Sequence, residues 1–178
     1  TYENPGYQTY TTFSLWDTYR AAMPLYSIFQ SERYTDMINT MLSIYKEQGK
    51  LPVWHLHGCE TNCMVGNPGI IPVADAIVKD LPGIDLELAF EAMKASALRP
   101  DRGQEHRMKY GYLPCDLMNE SVAYDLEYAL ADGALANAAK VLGKEDDPPP
   151  PPPPSKSYVD LFDHELGFIR GKDSRGRF

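Results

Sequence analysis

The stretch N-E-S-V-A-Y-D-L-E-Y-A-L-A-D-G-A-L-A-N-A-A-K-V-L, Asn119 to Leu142, decides the fold class. Its apolar residues recur every three or four positions, which is the spacing of a helix and not of a strand. Val122, Leu126, Ala129 and Leu130 form one apolar face, and Tyr124, Tyr128, Leu135 and Leu142 lie near another. A helix apolar on two sides is packed on two sides. Small residues at Ala129, Ala131, Gly133, Ala134 and Ala136 let neighbours approach closely. The stretch predicts an inner helix of an all-α domain.

Outward from it the same spacing recurs. Tyr34, Met37, Ile38, Met41, Leu42 and Tyr45 form a stripe, with Ser31 expected as N-cap. Leu86, Ala89, Phe90, Met93 and Ala97 form another, with Asp85 as cap and Pro100 just past the end. Pro72 reads as the first residue of a helix through Val78. Strand signals are few: V-W-H-L-H at 53–57 alternates briefly, and K-Y-G-Y-L-P at 109–114 reads as a loop with a turn. Seven prolines, Pro148 to Pro154, exclude a helix there. They predict a polyproline spacer of roughly 22 Å before helical periodicity restarts at Tyr158 to Phe162. The expected architecture is helical hairpins joined by long loops.

A chain of 178 residues is long enough for one domain with a real core. A net charge of −8 counts against nucleic acid or an anionic membrane as partner, and no apolar run is long enough to span a bilayer. The opening T-Y-E-N-P-G-Y has no basic start or apolar centre, so it does not read as a signal peptide. With no initiator Met, the chain reads as an internal piece of a longer protein. Cys59, Cys63 and Cys115 are too few for a disulfide scaffold. Cys59 and Cys63 beside two histidines could suggest zinc. No second ligand pair follows at finger-like spacing, so semi-buried thiols under a loop are the expectation.

Two further runs carry chemistry: F-S-L-W-D-T-Y-R-A at 13–21 and W-H-L-H-G-C-E-T at 54–61. The first sets Asp17 beside Trp16 and Arg20, and the second sets Glu60 beside Trp54, His55 and His57. Sugars are bound by such groups: an indole covers the C–H face of a pyranose while carboxylates and guanidinium groups take its hydroxyls. Glycoside hydrolysis needs two carboxyl groups. The candidates are Asp17, Glu60, Asp75, Glu120, Asp132 and Asp173, and from the residues alone Asp17 with Glu60 is the acid–base pair. Structural readings compete. Glu60 could cap a helix through Thr61 and the amides that follow, and Asp75 could be the solvated edge of a helix. Asp125 and Asp132 share a helix face that Glu120 opens, which suits interhelical hydrogen bonds, and Asp173 suits a turn. His55 and His57 are expected on opposite faces, so that at most one addresses a site.

The motifs, in order, resemble glycoside hydrolase family 92, the calcium-dependent exo-α-mannosidases. The resemblance runs through T-T-F-S-L-W-D-T-Y-R-A, D-M-I-N-T-M-L, G-K-L-P-V-W-H-L-H-G-C-E-T-N-C-M-V-G, P-V-A-D-A, K-Y-G-Y-L-P, E-S-V-A-Y-D-L-E-Y-A-L-A-D and G-F-I-R-G-K-D. It implies that residues 1–178 are part of an (α/α)6 toroid, interrupted by the proline run. It also implies that the general acid and base, and the residues binding calcium, lie C-terminal to R-G-K-D, outside this chain. That displaces the Asp17–Glu60 pairing. Asp17 is then expected to bind distal hydroxyls of the terminal mannose, with Trp16, Arg20 and Glu60 as further substrate-binding residues. The partners implied are mannose-containing glycans, the outcome is inversion, and the compartment is periplasmic or extracellular. The chain departs from the family at Met23, where histidine is frequent, at Gly133, where an aromatic is frequent, and at the prolines. The rival readings are a non-catalytic mannose-binding relative and a helical scaffold without sugar affinity.

Overall fold

A computed structural model describes residues 6–145 and 157–178; the proline run at 148–154 lies outside the described residues. The elements in chain order are β1 (Phe13–Ser14), α1 (Leu15–Thr18), α2 (Ala22–Phe29), α3 (Ser31–Gln48), β2 (Trp54–Leu56), β3 (Cys59–Glu60), α4 (Ile70–Val78), α5 (Leu86–Leu98), α6 (Gln104–Tyr110), α7 (Ser121–Val141), α8 (Ser157–Asp160), β4 (Phe162–Asp163) and β5 (Phe168–Ile169). Helices dominate the described residues, as the periodicity predicts. α3, α4, α5 and α7 pack on one another around a core that includes Tyr34, Ile38, Met41, Ile70, Val73, Ile77, Phe90, Met93 and Leu135. Met23 belongs to this core. Tyr34 is fully buried, and its hydroxyl is satisfied by donating to the carbonyl of Pro72 at 3.0 Å. Burial pushes that phenol's pKa well above its ordinary value.

Helix ends follow local chemistry, with three corrections. Asp85 caps α5 as expected, accepting from the Leu88 amide at 3.1 Å. Ser31 does not cap α3. Helix α2 runs to Phe29, which leaves Gln30 as the single link and the cap, and Ser31 becomes the first helical residue. Helix α4 opens at Ile70, two residues before Pro72. Pro72 still sits among the first residues of the helix, whose amides have no intrahelical partner, so its missing N–H leaves the ladder intact. Near the C-terminus the helical restart is shorter than the pattern suggests: Phe162 pairs as a strand with Ile169.

Helix α7 begins at Ser121, after Glu120 takes a left-handed turn at φ 55°. It is covered unequally on its two expected faces. Ser121, Asp125, Tyr128, Asp132 and Leu135 form one buried side, whereas on the face of Val122, Leu126, Ala129 and Leu130 only Ala129 is buried, Val122 and Leu126 are half-buried and Leu130 is exposed among the described residues. At Gly133 a Cβ would meet nothing within 4 Å among them, so that face leaves room for a side chain.

The five strands among the described residues are short. β1, β2 and β3 form an antiparallel sheet that pairs Ser14 with Trp54, Phe13 with His55, and His55 with Glu60.

Candidate functional site

That sheet brings the two aromatic-and-acid runs together, although 40 residues separate Ser14 from Trp54 in the chain. Helix α1 leaves directly after Ser14 and carries Trp16 and Asp17 in its first turn. Asp17 is exposed, and the Ser14 hydroxyl donates to its Oδ2. This bond fixes the carboxylate's rotamer and leaves Oδ1 for another donor. The Arg20 guanidinium lies 4.7 Å from the Trp16 ring centroid and 4.6 Å from that of Tyr19. One face of the indole is therefore already covered by a cation. The Trp16 Nε1 atom is buried and has no hydrogen-bond partner among the described residues.

Glu127, on α7, was not singled out by the sequence, yet it completes this group. Arg20 Nη2 donates to Glu127 Oε1 at 2.6 Å, and the Tyr19 hydroxyl donates to Oε2 at 2.8 Å. Burial first, and then the hydrogen bond to Glu127, push the Tyr19 phenol pKa well up. The Glu127 bond also raises the pKa of Arg20.

Glu60 is spent on backbone. It accepts from the amides of Val53 at 2.6 Å, Trp54 at 3.0 Å and Asn62 at 2.7 Å. No helix follows it directly, so its bonds clamp the hairpin itself. The loop beyond is held by two cations that the sequence reading did not single out. Lys50 Nζ donates to Asn62 Oδ1 at 2.5 Å, and Arg102 donates to the carbonyls of Asn62, Met64 and Gly66. Burial lowers the pKa of the Lys50 ammonium. Gly66 has φ +77°, and a Cβ there would lie 2.5 Å from Glu127 Cβ, so the loop backbone rests directly on α7.

The histidines do separate, but not for the reason expected. Residues two apart on a strand share a face; His57 diverges because it leaves β2 into a left-handed turn at φ 51°, exposed, while His55 stays buried. The three cysteines are free and exposed, not tucked under a loop. Asp75 is half-buried and not a solvated edge: Lys79 Nζ donates to it at 2.8 Å and the Tyr34 hydroxyl at 3.3 Å.

Asp125 and Asp132 make the interhelical bonds their shared face suggested. Arg107 of α6 donates from Nε to Asp125 and from Nη1 to Asp132, both at 2.7 Å, and the Leu113 amide donates to Asp125 at 3.1 Å. Burial raises the Asp132 pKa, with Arg107 opposing it. Asp173 is a turn residue. Its carboxylate takes the amides of Arg175 and Arg177 and the Arg177 guanidinium, which, led by that side-chain bond, lowers its pKa to about 2. Glu120 makes no side-chain cap bond. Among the described residues, no group of three or more His, Cys, Asp or Glu could hold a metal ion, and no helix is long and apolar enough to cross a membrane.

An exposed carboxylate beside an indole and a guanidinium has the chemistry to bind a sugar, and the class of the protein is given by comparison: it is a glycoside hydrolase. The family model described as Glycosyl hydrolase family 92 catalytic domain matches residues 1–178, and the chain belongs to that family. Among solved structures, it resembles the family GH92 α-mannosidase BT3965 from Bacteroides thetaiotaomicron, solved in complex with mannoimidazole. The two share 43% identity at a TM-score of 0.92, over 98% of this chain and 23% of that one. The inverting mannosidase BT2199 of the same organism is 32% identical at a TM-score of 0.88, over 95% of this chain and 24% of that one. An uncharacterized secreted glycosidase of Arthroderma benhamiae is 30% identical over 174 residues, 88% of this chain and 22% of that protein. The chain thus spans about a quarter of the length of these relatives.

Proposed function

We propose that the chain is part of the helical catalytic domain of an exo-α-mannosidase that removes terminal α-mannose from glycans with inversion. The observation that carries this reading is the family match across the whole chain, together with close structural likeness to two mannosidases. On this reading residues 1–178 belong to one (α/α)6 toroid.

Within it the chain supplies a wall of the mannose subsite. Asp17, held by Ser14, takes distal hydroxyls of the terminal sugar through its free oxygen. Trp16 offers the ring face that Arg20 leaves open. Glu60 acts through the backbone it clamps, by shaping the hairpin that faces α1. The general acid and base lie on segments outside this chain. Calcium, which the family implies, is assigned by the same resemblance to those segments, and no step here depends on it. The likeness to a secreted glycosidase supports a periplasmic or extracellular location.

The test is release of mannose from α-mannosides by the full-length protein, with the anomer of the product followed by NMR and with a calcium chelator added. Mannose released first as the β-anomer, and suppressed by the chelator, is the expected result. The 178-residue chain alone should release none, because on this reading both catalytic carboxyls lie outside it. Sugar binding by the full-length protein without turnover would favour the non-catalytic relative.

A further inference from the structure

We propose that Glu127 is a positioning residue, one that fixes the sugar-facing group of Trp16, Asp17 and Arg20 onto helix α7. The proposal rests on the reading of that group as a mannose subsite. Both oxygens of Glu127 are engaged, one by Arg20 and one by Tyr19, two consecutive residues of the run that carries Trp16 and Asp17. Two bonds to neighbouring side chains fix both the position and the rotation of that run relative to the helix. Arg20 is in turn packed between the rings of Trp16 and Tyr19, so the place of its guanidinium sets which face of the indole stays open.

The same residue meets the second run. Its Cβ sits where a side chain at position 66 would have to be, so the loop that follows the H-G-C-E-T hairpin abuts it. Glu127 thereby touches both halves of the candidate site from one rigid element. Its side chain is 14% exposed, whereas that of Arg20 is 45% exposed. With Arg20 nearly half exposed, the pair adds little to stability, because solvent screens the guanidinium and two long side chains must be ordered to make it. Direction is what it contributes: without Glu127 the guanidinium is free to turn to solvent, and the Trp16 face it covers is freed.

The experiment uses the full-length protein with Glu127→Ala, Glu127→Gln, Arg20→Ala and the double variant Arg20→Ala/Glu127→Ala, assayed on an aryl α-mannoside. Misplacing a binding group by about 1 Å can cost up to about 100-fold in rate, so Glu127→Ala should lower kcat/KM by roughly 10-fold or more at a nearly unchanged Tm. Because it acts through Arg20, the double variant should be no worse than Arg20→Ala alone. Glu127→Gln keeps the stem and one acceptor and should recover part of the loss. Additive losses, or a lowered Tm with normal kinetics, would overturn the proposal. If the wild-type protein hydrolyses no mannoside, the functional reading fails by itself. The positioning is then decided by phenylglyoxal labelling followed at the peptide level. Arg20 should react several-fold faster in Glu127→Gln than in wild type while exposed Arg33 reacts as before, and an unchanged Arg20 rate sinks the idea.

Discussion

Helix α7 uses the same chemistry, arginine against carboxylate, on two opposite sides. On one, Arg107, Asp125 and Asp132 are 7%, 0% and 4% exposed; on the other, Arg20 is 45% exposed and Glu127 14%. The two sides lie about 200° apart round the helix, since Glu127 is two residues from Asp125. Desolvation separates their roles. A buried charge costs several kcal/mol unless it is paired, so the Arg107 group must stay complete for the helices to pack at all. The Arg20–Glu127 pair carries a smaller penalty, because Arg20 reaches solvent, and its guanidinium stays accessible while both oxygens of Glu127 are engaged. One side of α7 holds the fold, and the other holds a surface.

The sharpest way to break this contrast is to remove Asp125. Asp125→Ala leaves Arg107 half-paired in the interior and orphans the Leu113 amide, and it should cost about 3–5 kcal/mol. Denaturant unfolding checks it; a loss under about 1 kcal/mol would mean that the buried group is not what secures α6 to α7. On the open side Asp17→Ala in the full-length protein should leave Tm in place. It should lower kcat/KM by roughly 10- to 150-fold, the equivalent of one charge-assisted hydrogen bond of about 1.5–3 kcal/mol. Normal kinetics with a lowered Tm would move Asp17 to the structural side of the comparison.

Gly133→Ala tests the uncovered face, where a methyl group meets no neighbour. It should stabilise the chain by about 0.5–1 kcal/mol through helix propensity, read as a raised Tm. A destabilisation in the full-length protein would show that this face is packed there. The smallest effect lies furthest from α7. Asp173 has its pKa lowered from 3.8 to about 2 by Arg177 and two amides. A depressed carboxyl pKa adds stability that is present above the unfolded value and is lost as pH falls through the folded one. The Arg177 amide resonance should therefore hold steady down to about pH 4 and shift between pH 4 and 2; a midpoint near 3.8 would deny the turn its hydrogen bonds.

What could be read in the sequence was what sits close together in it. Periodicity located α3, α5 and α7, and Asp85 announced its helix because a cap and the amide it satisfies are three residues apart. Asp125 and Asp132 declared a shared face for the same reason. Ser31 misled because the cap depends on where α2 stops, which no local pattern records. The two-sided apolar pattern of α7 was legible, but its covering was not, since that depends on what packs against Leu130. Within the site, the two motif runs stood out by composition, whereas Glu127, Lys50 and Arg102 did not. A glutamate in an E-Y-A-L helical repeat looks solvated until the chain returns to set Tyr19 and Arg20 against it.

Distance along the chain also sets an order in time. Arg107 and Asp125 are 18 residues apart, while Arg20 and Glu127 are 107 apart. Closing the longer loop costs more chain entropy, by about 1.6 kcal/mol from the logarithm of the length ratio alone. The helical pair α6–α7 can therefore assemble from nearby sequence, while the group of Trp16, Asp17 and Arg20 waits for the first 20 residues to find a helix made much later in synthesis. During refolding, the α6–α7 contact should therefore form before Arg20 and Tyr19 reach Glu127, so that the grip of the first 20 residues on α7 closes late.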